Sequence, residues 1–163
     1  IIFFNTISLI YLVFFSSIVF EGVSGDYKNF MLFIFLICIF SDIGGFIFGK
    51  FFKGRKLTKI SPNKTLSGSI GSFILSLLLV PFFYYNFENA EILNKKLEFY
   101  IFFAILISLA CQLGDIFISY LKRKAKVKDT GNLLPGHGGL LDRIDGMLLA
   151  IPVSLLISLI LQL

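Results

Sequence analysis

Five long apolar runs constrain what this chain of 163 residues can fold into. A bilayer core about 30 Å thick is crossed by roughly 20 residues of α-helix, and each run is close to that length. The runs are rich in Phe, Ile and Leu and show few polar stripes at helical spacing. The sequence therefore predicts an all-α, polytopic integral membrane protein with about five transmembrane helices. The runs cover approximately residues 1–20, 30–49, 68–86, 99–120 and 146–163.

The composition excludes the main soluble classes. Hydrophobic residues make up 56% of the chain and charged residues 15%, whereas soluble domains average about 25% charged residues. A soluble α/β enzyme and a nucleic-acid-binding module are both excluded, although the net charge is +5. We expect residues 1–163 to form a single transmembrane domain. Because the chain lacks an initiator Met, we also expect further helices upstream, and the sequence leaves open whether the chain forms a homo-oligomer.

The basic residues predict the orientation of the helices. Of the 15 Lys and Arg residues, six lie in residues 50–67 and six in residues 121–145. The positive-inside rule places both segments in the cytoplasm, which puts the N-terminus inside and the C-terminus outside. Residues 50–67 and 121–145 are therefore expected to form cytoplasmic loops that carry the functional site.

Two carboxylates interrupt the apolar runs. Asp42 lies inside the second run and Asp115 near the inner end of the fourth. A charge at the centre of a membrane helix costs about 2.5–3.5 kcal/mol, so such residues usually face a cavity or a partner. A carboxylate paired with a loop Lys is the alternative. Cys38 and Cys111 are interpreted as small core residues, because their spacing indicates neither a metal site nor a disulfide framework.

The segment just before the third run has a composition that suits an anion. Ser61, Asn63, Lys64 and Thr65 precede a helix start, where backbone N–H groups, hydroxyls and one Lys can surround phosphate oxygens. A capped helix start with positive-inside lysines explains the same residues. The segment lacks the G-x-x-x-x-G-K-[ST] order of a P-loop.

The second basic segment combines cations, glycines and acids. Five cations lie between residues 122 and 128, and the Gly-His-Gly-Gly turn at 136–139 lets backbone N–H groups approach a ligand. Asp142 and Asp145 share a face if they lie on a helix. Together these features predict a site that handles a phosphorylated, lipidic substrate with Mg²⁺, and a second cation is left open. An ion-coupled transporter is the main alternative, since buried Asp residues also mark carriers.

This segment resembles the signature of the phosphatidate cytidylyltransferases, also called CDP-diacylglycerol synthases. Two weaker family features precede it, the stretch from Asp42 to Lys50 and the loop from Ser61 to Thr65, so the resemblance covers residues 40–163. The chain departs from the family pattern at Ser67, where members often carry Glu, and at Gly45-Phe46, where they often carry Ala-Tyr. The signature residues are Ser119, Lys122-Arg123, Lys128-Asp129, Gly131, Leu134-Pro135, His137-Gly138-Gly139, Asp142-Arg143 and Asp145.

The resemblance implies a reaction of CTP with phosphatidate that gives CDP-diacylglycerol and pyrophosphate, at a site facing the cytoplasm of a bacterial cell membrane. A CTP-dependent transferase acting on another lipid phosphate is an alternative. By resemblance, the catalytic residues are Asp115, Asp142, Lys128 and Arg143, and the Mg²⁺ ligands are Asp115 and Asp142, with Asp145 and Asp42 as further candidates. The implied substrate contacts are Ser61, Asn63, Lys64, Thr65, Lys122, Arg123, Asp129, His137, Gly138 and Gly139.

Overall fold

The computed structural model describes residues 2–25, 27–58, 61, 64–86, 96–127, 129–131, 139 and 141–160, with the backbone alone in residues 2–5. These residues form six helices and one isolated antiparallel bridge between Lys56 and Thr65. The helices are α1 (Ile2–Ser24), α2 (Lys28–Phe52), α3 (Leu66–Asn86), α4 (Leu97–Lys124), α5 (Leu141–Ile144) and α6 (Met147–Ile160).

Four of the described helices are long and apolar enough to cross a membrane. They span Thr6–Ser24, Lys28–Phe52, Leu66–Asn86 and Leu97–Lys124. The fifth predicted run forms α6, which is apolar but has 14 described residues. The protein is therefore an all-α polytopic membrane protein, as the sequence predicted.

Helices α2 and α4 both extend beyond the apolar runs into the basic segments. α2 ends where Lys53 adopts the left-handed conformation, with φ of 43°, and donates its N–H to the Gly49 carbonyl at 3.2 Å. α4 continues to Lys124, so Lys122 and Arg123 are helical. Cations in the last turn of a helix interact favourably with its exposed carbonyl groups. The predicted loops at 50–67 and 121–145 therefore include the ends of α2 and α4, the start of α3 and all of α5.

The backbones of α2 and α3 touch where Gly44 of α2 meets Gly71, in the second turn of α3. A Cβ atom added at Gly44 would lie 2.3 Å from the Gly71 carbonyl oxygen and 3.0 Å from Ser72 Cα. Small residues allow this close approach between membrane helices. The Ser41 and Ser108 hydroxyls are 2.9 Å apart, and this hydrogen bond joins α2 to α4.

Aromatic side chains fill the core at the other end of these three helices. The ring of Phe33 lies 4.6 Å from Phe83, 5.8 Å from Tyr100 and 6.4 Å from Phe103, measured between centroids, and all four side chains are buried. α4 also packs against α6. α1 lies at the periphery and contacts α2 and α6. The bundle therefore has an apolar end, and its polar groups gather at the end that carries the basic segments.

Replacement of Gly44 tests the contact between α2 and α3. Gly44→Ala is expected to destabilise the protein by about 1–3 kcal/mol, because a methyl group there forces the two backbones apart. The measurement is the Tm of the detergent-solubilised protein. Gly131→Ala is the control, since its added Cβ would meet Gly139 Cα at an ordinary 3.8 Å. An unchanged Tm for Gly44→Ala would contradict the backbone contact.

The charge distribution predicts which ends of the helices face the cytoplasm. Single cysteines are placed at Ser24, after α1, and at Thr130, after α4, in a protein whose Cys38 and Cys111 are replaced by Ser. In intact cells an impermeant thiol reagent should label Ser24→Cys and spare Thr130→Cys until the membrane is permeabilised. The reverse labelling pattern would show that the orientation is wrong.

Candidate functional site

A cavity of about 300 Å³ lies between α2, α3 and α4. Its lining combines two carboxylates, one Lys, several hydroxyls and one amide from residues far apart in the sequence. The bundle therefore gathers chemistry-bearing side chains at the end that carries the basic segments. The lining residues are Asp42, Gly45, Phe46, Leu57, Ser61, Lys64, Thr65, Gly68, Ser69, Ser72, Gln112 and Asp115.

An ion pair between Lys64 and Asp115 crosses the cavity. Lys64 Nζ lies 2.5 Å from Asp115 Oδ2, although the residues are 51 positions apart. The backbone before α3 holds Lys64 in place, because Leu57 N–H donates to the Lys64 carbonyl at 2.8 Å and Leu66 N–H donates to the Arg55 carbonyl at 2.8 Å. Two of the predicted site residues thus meet.

Thr65 both lines the cavity and caps α3. Its hydroxyl accepts a hydrogen bond from Gly68 N–H at 3.1 Å, which satisfies one of the unpaired donors at the helix start. Ser61 also lines the cavity, and its N–H donates to Thr58 Oγ1 at 3.1 Å. The two interpretations of this segment, anion binding and a capped helix start, are therefore compatible.

Three acidic side chains and one thiol lie close together beside Lys64. Ligand atoms of Asp42, Cys111 and Asp115 lie within 4.8 Å of one another, and Cys111 Sγ is 3.8 Å from Asp42 Oδ1. The Asp145 carboxyl is hydrogen-bonded to Asp115. Burial, and then the charge of Asp115, raise the pKa of Asp145 to about 7. The carboxylate oxygens of this group are the donors that Mg²⁺ prefers, whereas the thiol suits a softer metal.

Asp142 lies beside this group and has a different set of partners. Its Oδ1 is 2.9 Å from Lys122 Nζ, and its Oδ2 accepts the N–H groups of Thr130 at 2.9 Å and Gly139 at 2.8 Å. Burial acts to raise the pKa of Asp142, but these hydrogen bonds hold it below its usual range. Lys122 Nζ also lies 3.4 Å from Asp145 Oδ2, so one Lys faces both acids. Asp142 as a metal ligand stays a prediction.

Close packing at Gly146 brings Asp145 to Asp115. A Cβ at Gly146 would lie 2.6 Å from Asp115 Oδ1 and 2.6 Å from Cys111 Sγ. A Cβ at Gly114 would lie 2.8 Å from the Gly146 carbonyl oxygen. Glycines on both sides thus let the turn before α6 press against α4.

Comparison with known proteins identifies the family of this chain. A model of the cytidylyltransferase family matches residues 2–161. The chain belongs to the cytidylyltransferase family. Proteins named phosphatidate cytidylyltransferase are similar to it. That of Helicobacter pylori is 38% identical over 79% of this chain and 48% of its own length, and that of Rickettsia typhi is 41% identical over 77% and 58%. The chain therefore spans about half the length of these curated relatives.

The remaining predicted site residues of this cytidylyltransferase-family chain lie away from the cavity or outside the described residues. Arg123, Asp129 and Arg143 are exposed, and Arg123 donates to the Val127 carbonyl at 3.4 Å. Gly139 is buried and binds Asp142 through its N–H. Four residues with predicted roles lie outside the described residues: Asn63, Lys128, His137 and Gly138.

The sequence alone did not identify several polar residues of the cavity. Gln112 is 9% exposed and lines the cavity together with Ser69 and Ser72. Cys111 is a buried core residue, as expected, yet it also belongs to the group with Asp42 and Asp115. The spacing of Gln112 could have indicated that it belongs to the site. It precedes Asp115 by about one helical turn within an apolar run, so both side chains lie on the same face of the helix.

Removal of the Lys122 side chain tests the second ion pair. Lys122→Met leaves Asp142 and Asp145 without their cation, and the side chains of these acids are only 10% and 18% exposed. We expect a loss of about 3 kcal/mol in stability, the scale for breaking a buried pair, measured as a lower Tm in detergent. Lys124→Met is the control on the same helix end, because Lys124 is exposed. Equal Tm values for the two variants would argue against the pairing.

Proposed function

We propose that this chain transfers the cytidylyl group of CTP to phosphatidate, producing CDP-diacylglycerol and pyrophosphate. The observation that carries the proposal is the cavity itself, in which Lys64 and Asp115 pair at 2.5 Å inside a bundle of membrane helices. A lipid phosphate and a water-soluble nucleotide have to meet at such a boundary. The family match and the names of the similar proteins supply the substrate class.

The reaction joins two anions, so its main demand is control of charge. An oxygen of the phosphatidate phosphate attacks the α-phosphorus of CTP, a new P–O bond forms, and the bond to the β-phosphate breaks to release pyrophosphate. The attacking phosphate is already ionised near neutral pH, so no general base has to remove a proton. Positioning and electrostatic stabilisation therefore account for most of the catalysis.

The lysines of the site can supply this stabilisation. Lys64 lies on the cavity wall, and Lys122 faces the acids at the end of α4. Each has a carboxylate partner, which keeps the cation in place before phosphate oxygens approach. A charge-assisted hydrogen bond to phosphate is stronger than one between neutral groups. We assign Lys64 to a substrate phosphate and Lys122 to the support of Asp142 and Asp145.

Asp42, Asp115 and Asp145 would hold Mg²⁺, with Asp142 as a further candidate from the family resemblance. The clustering of three carboxyls around Asp115 fits a hard divalent cation. When bound, the ion would neutralise charge on the phosphate oxygens. We also propose that the site faces the cytoplasm of a bacterial cell membrane, because twelve of the 15 basic residues lie in the two segments at this end.

The direct test uses radiolabelled CTP and membranes that contain the protein. Label should enter the lipid-extractable fraction only when phosphatidate and Mg²⁺ are present. Asp115→Asn should lower this rate by at least about a hundredfold, the scale for loss of a main electrostatic group. Glu21→Gln is the matched control, since it makes the same chemical change on α1, outside this cavity.

Two results would contradict the proposed function. Wild-type protein that transfers no label to phosphatidate lacks the activity. An Asp115→Asn variant with full activity at normal expression would show that the cavity is not the active site. Phosphatidate-independent uptake of an ion or solute by vesicles would favour the transporter instead.

A further inference from the structure

The cavity has an uncharged, hydrogen-bonding side below its ion pair. Gln112 precedes Asp115 by three residues on α4, which is about 4.5 Å of helix rise away from the basic end. Ser69 and Ser72 face the same space from α3, and Asp42 borders it from α2. A ligand whose phosphate lies at Lys64 would therefore place its next few atoms beside Gln112.

The hydrogen bonds of Gln112 leave one donor for a ligand. Its Oε1 accepts the Ser69 hydroxyl at 2.5 Å, which fixes the orientation of the amide. Its Nε2 has two hydrogens, and one of them points to Ser108 Oγ at 3.4 Å. The second N–H belongs to a side chain that lines the cavity and is more than nine-tenths buried.

The neighbouring serines have no hydroxyl hydrogen left to donate. Ser69 uses its hydrogen on Gln112, and Ser72 donates to the Ser41 carbonyl at 2.6 Å. These hydroxyls can still accept hydrogen bonds. Gln112 is therefore the neutral side chain in this part of the cavity that can donate to a ligand carbonyl.

The position of Gln112 relative to Lys64 follows the order of groups in a diacyl lipid phosphate. In phosphatidate the acyl esters lie between the phosphate and the acyl chains, and Gln112 lines the same cavity as Lys64. Phe46 lines the same cavity and is 69% exposed, so the cavity borders the outer surface of the bundle. Acyl chains can leave the cavity past this ring while the phosphate stays near Lys64.

We propose that Gln112 donates a hydrogen bond to an ester carbonyl of the lipid substrate and makes the enzyme select diacyl over dialkyl lipids. Ser69 acts as a positioning residue, because its hydroxyl holds Oε1 and leaves the amide N–H directed away from α3. The inference rests on the proposed transfer to a lipid phosphate. An ether lipid has CH₂ in place of C=O, so it leaves the buried N–H unsatisfied, which is a costly state.

The test compares diacyl phosphatidate with dialkyl phosphatidate of the same chain length in the labelled-CTP assay. The wild-type protein should show a kcat/KM about tenfold higher for the diacyl lipid. Gln112→Met keeps the length of the side chain and removes the donor. This variant should raise KM for the diacyl lipid about tenfold. It should change KM for the dialkyl lipid by no more than about twofold and leave KM for CTP unchanged.

Two further variants separate recognition from packing. Ser69→Ala should lower the preference for the diacyl lipid while the amide remains, because the orientation of the amide is no longer fixed. Ser76→Ala is the control on the same helix, since Ser76 is buried and bonded to backbone carbonyls at Ile37 and Ser72, outside the cavity. It should keep the wild-type preference.

The outcomes distinguish the inference from the function on which it rests. Equal use of both lipids by the wild-type protein overturns the ester contact, even if Gln112→Met does not fold. An equal loss of kcat/KM for both lipids in Gln112→Met also overturns the ester contact, because an equal loss indicates that Gln112 has a packing role. If the wild-type protein forms cytidylyl lipid from neither the diacyl nor the dialkyl substrate, the proposed function is overturned and the inference with it.

Discussion

The ion pair between Lys64 and Asp115 is the interaction on which the polar end of this bundle depends. A lone carboxylate in a membrane helix costs about 2.5–3.5 kcal/mol, so Asp115 needs a cation nearby. Lys64 meets it at 2.5 Å, from the segment that leads into α3. The pair therefore joins the segment before α3 to α4. It also keeps both charges at the cavity wall, where the side chains are 28% and 15% exposed.

Packing of the helix backbones sets the distances within this site. Gly44 and Gly71 let α2 approach α3, and Gly146 lets the turn before α6 press against α4. The contact at Gly146 brings Asp145 to Asp115, and the Ser41–Ser108 hydrogen bond between α2 and α4 holds Asp42 near it. Helices in a lipid bilayer are not driven together by the hydrophobic effect. Close packing of small residues and interhelical hydrogen bonds therefore hold them together. These glycines thus set the geometry of the site, and Gly146 N–H also donates to Asp145 Oδ1 at 3.0 Å.

The sequence predicted the positions of the helices and the charged site residues well. It did not predict which charged residues pair with each other. Hydropathy depends on composition over about 20 residues, so four long helices and a shorter α6 were recognisable. The pairing of Lys64 with Asp115 and of Lys122 with Asp142 depends on how the helices cross, which spacing along one chain does not determine. Gln112 was not recognised because an uncharged amide in an apolar run resembles a core residue. Cys111 was identified as a core residue, and its proximity to Asp42 required the crossing of α2 and α4.

One face of α4 carries the acid of the ion pair and a buried amide, and helix geometry keeps the two in register. Asp115 and Gln112 are one turn apart, so a rigid helix fixes the distance between the charged group and the amide at about 4.5 Å along its axis. Ser41 and Ser108 tie α4 to α2 at 2.9 Å one further turn down. The cavity wall therefore carries a charged group and a neutral hydrogen-bonding group at a separation that the helix backbone sets.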